Sequence, residues 1–248
     1  MGQRIPRKRL TAVALLPLAK GMRYYPVFLD LKDRACLVVG GGSVAQRKAL
    51  SLLAAGARVD VVATRVTKAL AGLSDEGTIT LEKRAYRQGD VTGHFLIIAA
   101  TGSKEANWSI YRDSEAAGVL VNVVDDPERC SFIVPSVVDR GALVIAISTS
   151  GKSPYLARML REALEECIGA EYEVFLEILG AARKKLLKTG LSRDKKESII
   201  KDLVRSPLPG LIKEGRSREI NSVLKARLGE AYTLSRLGIN IKKESGRP

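Results

Sequence analysis

Short continuous apolar runs alternate along this chain with longer stretches in which apolar positions return every three or four residues. The first rhythm marks strands buried on both faces, and the second marks amphipathic helices. On this basis residues 34–39, 58–63, 78–83, 95–100 and 119–123 are strands, and residues 44–55, 66–73 and 104–117 are helices. Ala45, Ala49, Leu52 and Leu53 share one face of the first helix, and Gly56 and Gly118 stand where helices end. Strand and helix alternate with short links, which predicts an α/β fold with a Rossmann-type, doubly wound parallel sheet.

After Pro127 the rhythm changes. Residues 131–138 and 142–148 read as a hairpin turning at Asp139-Arg140-Gly141. Ser153 as N-cap and Pro154 at the first helical position open a helix over 155–167, with Leu156, Met159, Leu160 and Leu164 on one stripe. The remainder is helical over 172–188, 193–204 and 216–228, with Gly190, the stretch 207–210 and Gly229 as breakers and a disordered end over 242–248. The expected organisation is a basic, disordered extension (1–21), a dinucleotide-binding domain (22–130), a hairpin-containing segment (131–168) and a helical C-terminal domain (169–248).

The run Cys36-Leu37-Val38-Val39-Gly40-Gly41-Gly42-Ser43-Val44-Ala45 carries the first chemistry. A buried strand, a glycine turn and a helix start form a cradle for a pyrophosphate, since helix N-terminal amides face an anion and glycine lets it approach. Gly40, Gly42, Ser43 and Val44 are the expected contacts. Asp60 has the spacing of a ribose-binding acid but falls inside the second strand. Thr64 and Arg65, at that strand's terminus, are better placed, and Arg65 suits a 2′-phosphate, so both NAD and NADP stay open. Thr101 ends the fourth strand beside the same cleft.

Composition narrows the choices. No apolar run is long enough to span a bilayer. Cys36, Cys130 and Cys167 are too few and too scattered for a disulfide framework or a zinc site, and they fit a reducing cytoplasm. Cys36 and Cys167 are expected in the core. His94 is the single histidine, read as structural, and no metal site is expected. The formal charge of +14 sits at the ends: residues 182–248 carry 18 Lys and Arg against 7 Asp and Glu. Such a tail attracts anionic partners, although many basic helices are simply solvated faces. The first residues have the basic-then-apolar layout of a signal peptide without a convincing cleavage site, and are read as an extension.

Several runs together resemble the precorrin-2 dehydrogenase family, the siroheme-synthase module that in some members also inserts iron. They are Val39-Gly-Gly-Gly-Ser-Val-Ala-Gln-Arg-Lys-Ala49, Ile98-Ala-Ala-Thr101, Asn122-Val-Val-Asp-Asp-Pro127, Cys130-Ser-Phe-Ile-Val-Pro135 and the stretch from Ile145 to Arg158. The resemblance implies NAD as hydride acceptor, precorrin-2 as substrate and sirohydrochlorin as product, with ferrous iron as a second substrate in bifunctional members. It implies a homodimer built on the hairpin segment; separately, no membrane or nucleic-acid partner is expected. It assigns catalysis to Asp125, and Asn122, Ser148, Thr149, Ser150 and Lys152 to the neighbourhood of the tetrapyrrole. Where the family often has an Asp after the threonine, this chain has Gly102. The competing reading is a non-catalytic dinucleotide sensor whose basic tail binds nucleic acid or a partner protein.

Overall fold

Five strands, β1 (Ala35–Val39), β2 (Arg58–Val62), β3 (Thr80–Glu82), β4 (Leu96–Ala99) and β5 (Leu120–Val123), form one parallel sheet in the order β3-β2-β1-β4-β5. The structure is a computed structural model and describes residues 23–241. The expected extension over 1–21 and the end over 242–248 lie outside the described residues. Along β1, Cys36 and Val38 face one side, packing on Ala45, Ala49 and Leu52 of α1 (Ser43–Ala54) and Leu70 of α2 (Lys68–Asp75). Leu37 and Val39 face the other side, with Ile97, Ala99, Val121 and Ile110 of α3 (Lys104–Ala117). Both faces are covered, which is why these strands read as continuous apolar runs. Helix α3 has the predicted span: Ser103 Oγ accepts from the Ala106 amide, and Gly118 leaves the helix with φ +64°.

The described residues fall into two compact units that divide between Val134 and Pro135. The hairpin of the second unit, β6 (Ser136–Arg140) and β7 (Leu143–Ile147), begins five residues later than its sequence pattern suggests. Residues 131–135 are apolar and β-rich, but Ser131 is occupied beside β5. Its amide donates to Val121 O at 2.9 Å, and its hydroxyl accepts from the Val121 amide at 2.8 Å. The free edge of β5 is thus satisfied by this segment rather than by another strand. The hairpin loop is also displaced: Arg140 pairs with Leu143, leaving Gly141 and Ala142 as the loop, with Gly141 at φ +63°.

Ser153 and Pro154 open α4 (Pro154–Cys167) as expected, with Ser153 Oγ accepting from the Leu156 amide at 3.2 Å. The stripe on α4 is not a core stripe, however. Leu156, Met159 and Leu160 are exposed, and so is Cys167, which corrects its placement in the core. Next come α5 (Glu171–Leu187) and α6 (Arg193–Val204). The Pro207–Gly210 stretch is not only a breaker: it opens α7 (Leu208–Lys213). Proline costs nothing in a first turn, where its missing N–H has no acceptor. Helices α8 (Ser217–Leu228) and α9 (Leu234–Leu237) complete the bundle, whose core joins Phe175, Ile178, Leu203, Leu208, Ile220 and Leu224.

Candidate nucleotide site and its surroundings

The glycine turn leaves β1 at the point where β2 lies on one side and β4 on the other, the switch point at which open α/β sheets bind ligands. Gly40 has φ +127°, and a Cβ on it would stand 2.2 Å from Ala100 O. A Cβ on Gly41 would stand 2.0 Å from Arg65 O. Gly42, by contrast, faces open space. The turn is fixed by Gly40 N to Val62 O (2.9 Å), Ala100 N to Val39 O (2.8 Å) and Thr67 N to Gly41 O (3.0 Å). Gly42 is the N-cap of α1, no side chain caps that helix, and no acid occupies its first turn. Its first amides are therefore free for an anion.

A cavity of about 740 Å³ opens over this turn, with Gly40, Gly42, Thr64, Arg65 and Thr101 among its lining residues. Among the described residues no carboxylate lines it. The close-packed glycines, the open space at Gly42 and the uncapped amides together fit a dinucleotide. Ser43 and Val44 begin α1 but do not line the cavity. Thr101 Oγ1 lies 2.7 Å from Asn107 Oδ1, so its hydroxyl is already held by α3. The sequence pattern did not point to Gly41, Arg84 or Tyr86, which also line the cavity. Gly41 carried a signal as the middle residue of the triplet, whereas Arg84 and Tyr86 follow β3 in an irregular segment with none.

Arg84 forms a two-pronged pair with Asp90 (2.7 and 2.9 Å), and its Nε donates to Glu82 at 2.6 Å. Burial disfavours the charge on Asp90, but the bonds from Arg84 and from the Arg87 amide outweigh it and hold the carboxyl below the usual range. The Tyr86 hydroxyl donates to Asp113 at 2.6 Å, and burial together with that carboxylate pushes its pKa up. Asp60 lies within β2, its carboxylate 2.9 Å from His94 Nε2, so neither is offered to a ligand in the cavity.

Asp125 stands just past the end of β5 with φ +61° and an exposed side chain. It does not line the nucleotide cavity, and its carboxylate has no hydrogen bond or ion pair among the described residues. Its neighbour Asp126 pairs with Arg129, whose guanidinium lies 4.7 Å from the centre of the Trp108 ring. The Cys130 sulfur accepts from the Val123 amide at 3.2 Å and lies 3.1 Å from Asp126 O, bracing the loop that carries Asp125. Burial pushes the Cys130 thiol up.

Asn122 has a different setting from the ligand contact that the resemblance implies. It is buried in β5, and its Nδ2 donates to Phe132 O at 3.0 Å. Ser148, Thr149, Ser150 and Lys152 belong to the second unit. There Thr149 Oγ1 accepts from the Ser153 amide, Ser148 Oγ accepts from the Ser150 amide, and Lys152 is exposed. Among the described residues, no three His, Cys, Asp or Glu side chains converge as a metal site. No described helix is long and apolar enough to cross a membrane.

This arrangement defines a Rossmann-type dinucleotide-binding fold. Residues 27–136 match the family described as "Putative NAD(P)-binding", and residues 140–166 match that of the sirohaem biosynthesis protein central region. Among curated relatives, a siroheme synthase of Photobacterium profundum is 45% identical over 168 residues, covering 68% of this chain and 36% of the relative. One of Nitrosomonas eutropha is 35% identical over 221 residues, covering 85% and 46%. The chain thus spans less than half the length of these relatives. Among solved structures, SirC, a precorrin-2 dehydrogenase, superposes with a TM-score of 0.65 at 27% identity, covering 75% of this chain and 92% of that one. These matches agree with the resemblance to the precorrin-2 dehydrogenase family that the sequence motifs carry. These relatives do not favour the non-catalytic sensor.

Proposed function

We propose that this protein oxidises precorrin-2 to sirohydrochlorin with NAD, in the biosynthesis of siroheme. The observation that carries the reading is the glycine turn at the switch point, where the backbone is cut back for a pyrophosphate and the amides of α1 are left uncapped. Bound NAD supplies hydride acceptance. The oxidation also releases a proton, and the chain offers a carboxylate for it. Asp125 lies beyond the C-terminal end of a sheet strand with both oxygens uncommitted among the described residues. A positioned carboxylate acting as general base contributes about 10²–10⁴-fold. In the same proposal this group takes up the pyrrole protons that ferrous iron displaces, so iron insertion is a second activity to assay.

Precorrin-2 carries eight carboxylates as its family assignment implies, and Lys152, exposed and without an ion pair among the described residues, is suited to one of them. The hydroxyls of Ser148, Thr149 and Ser150 are proposed as weaker contacts, and Ser148 and Thr149 already hold local turns. A homodimer is proposed on the exposed apolar side chains Val137, Val144, Tyr155, Leu156, Met159 and Leu160, which a solitary copy would leave in water. The test is direct. Under anaerobic conditions, protein, precorrin-2 and NAD should yield NADH and the sirohydrochlorin spectrum together, and absence of both rejects the proposal.

A further inference from the structure

A base must be held still to accept a proton, yet Asp125 occupies a costly backbone position. The Asp126 amide donates to Val123 O at 3.2 Å, closing a turn whose third residue is Asp125 at φ +61°. A residue with a Cβ keeps that left-handed shape only where its surroundings hold it.

Much of the hold comes from one side chain. Arg129 reaches Asp126 twice: its amide donates to Asp126 O at 3.1 Å, and its Nη1 pairs with the Asp126 carboxylate. The same guanidinium lies 4.7 Å from the centre of the Trp108 ring, within cation–π range. Trp108 belongs to α3, which Ile110 anchors against the sheet, and its ring stacks on Tyr111 with centres 5.5 Å apart. Arg129 thus ties the residue beside Asp125 to a helix packed on the sheet that carries the turn. Trp108 is 43% exposed and the Arg129 side chain 45%, and neither lines the dinucleotide cavity. Contacts so exposed add little to global stability. Their leverage is on the geometry of one loop, where a displacement of about 1 Å can cost about 10²-fold in rate.

We infer that Arg129 is a positioning residue for the dehydrogenation: by bridging Asp126 to Trp108 it fixes the turn that presents Asp125. The inference rests on the reading of Asp125 as the base and adds what aims it. The guanidinium is already engaged by a carboxylate and an aromatic ring, so it acts through its neighbour and not on the substrate.

Steady-state kinetics of the full chain with precorrin-2 and NAD, in a double-mutant cycle with Asp125→Asn, test this. Arg129→Ala should fold normally and lower kcat by about tenfold or more, with KM for precorrin-2 and for NAD unchanged. Arg129→Lys, which keeps a cation for both contacts, should recover kcat to within about threefold of the unaltered chain. Trp108→Ala should reproduce part of the Arg129→Ala loss. In the Asp125→Asn background Arg129→Ala should change turnover by less than about twofold, because the group it aims is gone. An equal loss in both backgrounds overturns the inference, as does a rise in KM for precorrin-2 at unchanged kcat, which would put Arg129 on the substrate. Full activity of Arg129→Ala beside a crippled Asp125→Asn also overturns it while leaving the base in place. Full activity of Asp125→Asn rejects the base itself, a separate result.

Discussion

Asp60 Oδ2 and His94 Nε2 lie 2.9 Å apart, and this pair takes the one acid of β2 away from the cofactor cleft. His94 Nδ1 is buried without a partner, which leaves Nε2 as the ring atom that carries the interaction. Asp60→Ala should therefore leave dinucleotide affinity within about twofold while lowering stability by about 1.5–3 kcal/mol, the value of a hydrogen bond to a charged group. Calorimetry and thermal melts of the same preparation check both halves. A tenfold loss of affinity would return Asp60 to the ribose.

Two glycines of the turn, Gly41 and Gly42, should separate by mechanism. Gly41→Ala drives a methyl into the Arg65 carbonyl, so poor folding or a large fall in melting temperature is expected. Gly42→Ala meets no protein atom and should fold normally. Its methyl would stand in the cleft, and dinucleotide affinity should fall by at least about tenfold, as expected when a backbone can no longer approach a phosphate. Equal melting temperatures for the two variants would contradict the close approach at Gly41.

Much of this was legible beforehand, for identifiable reasons. The sheet could be read because strands covered on both faces leave uninterrupted apolar runs, and α3 because Ser103 and Gly118 mark its two ends. The hairpin start was misplaced because residues 131–135 have strand composition, and only tertiary contact with Val121 shows that they complete an edge. The short helix α7 was hidden by prolines, which are breakers inside a helix and tolerated in its first turn. Cys167 looked like core because periodicity reports that a face is apolar, not what covers it. At the site, Gly40, Gly42, Thr64, Arg65 and Thr101 come together around one cavity, whereas Ser43, Val44 and Asp125 do not line it. Asn122 has a structural partner that the motif did not reveal, since its Nδ2 donates to Phe132 O.

Asp125→Asn is the sharpest probe of the proposed base. Asparagine tolerates the left-handed backbone at φ +61°, so the loop should survive while the ability to accept a proton is lost. Dehydrogenation should fall by about 10²-fold or more with an unchanged KM for NAD, as for removal of a general base. Iron insertion, measured separately, shows whether the two activities share this group. Unchanged turnover removes Asp125 from the mechanism.

The Arg84–Asp90 pair makes stability depend on acidity. Asp90 titrates below the usual carboxylate range in the folded chain, so its contribution is complete above the ordinary carboxylate pKa. It is lost as pH falls through the depressed native value. Asp90→Asn should lower the melting temperature at neutral pH, and the gap to the unaltered protein should close under acid. A gap that stays constant across that range would mean the ion pair contributes nothing.

The exposed apolar face of α4 gives the last expectation. Met159→Asp places a charge among Leu156, Leu160 and Tyr155, all exposed in a single copy. If two copies cover this face, sedimentation should show a dimer for the unaltered chain and a monomer for the variant with unchanged helix content. A monomer in both cases rejects the dimer.

The bonds that join the glycine turn to the ends of its neighbouring strands are made by the chain alone, from Gly40 to Val62 and from Ala100 to Val39. Little ordering is then left for a nucleotide to impose, so association should proceed without a slow isomerisation phase and with a modest entropic penalty. Crystals grown without nucleotide should take it up on soaking, their lattice undisturbed.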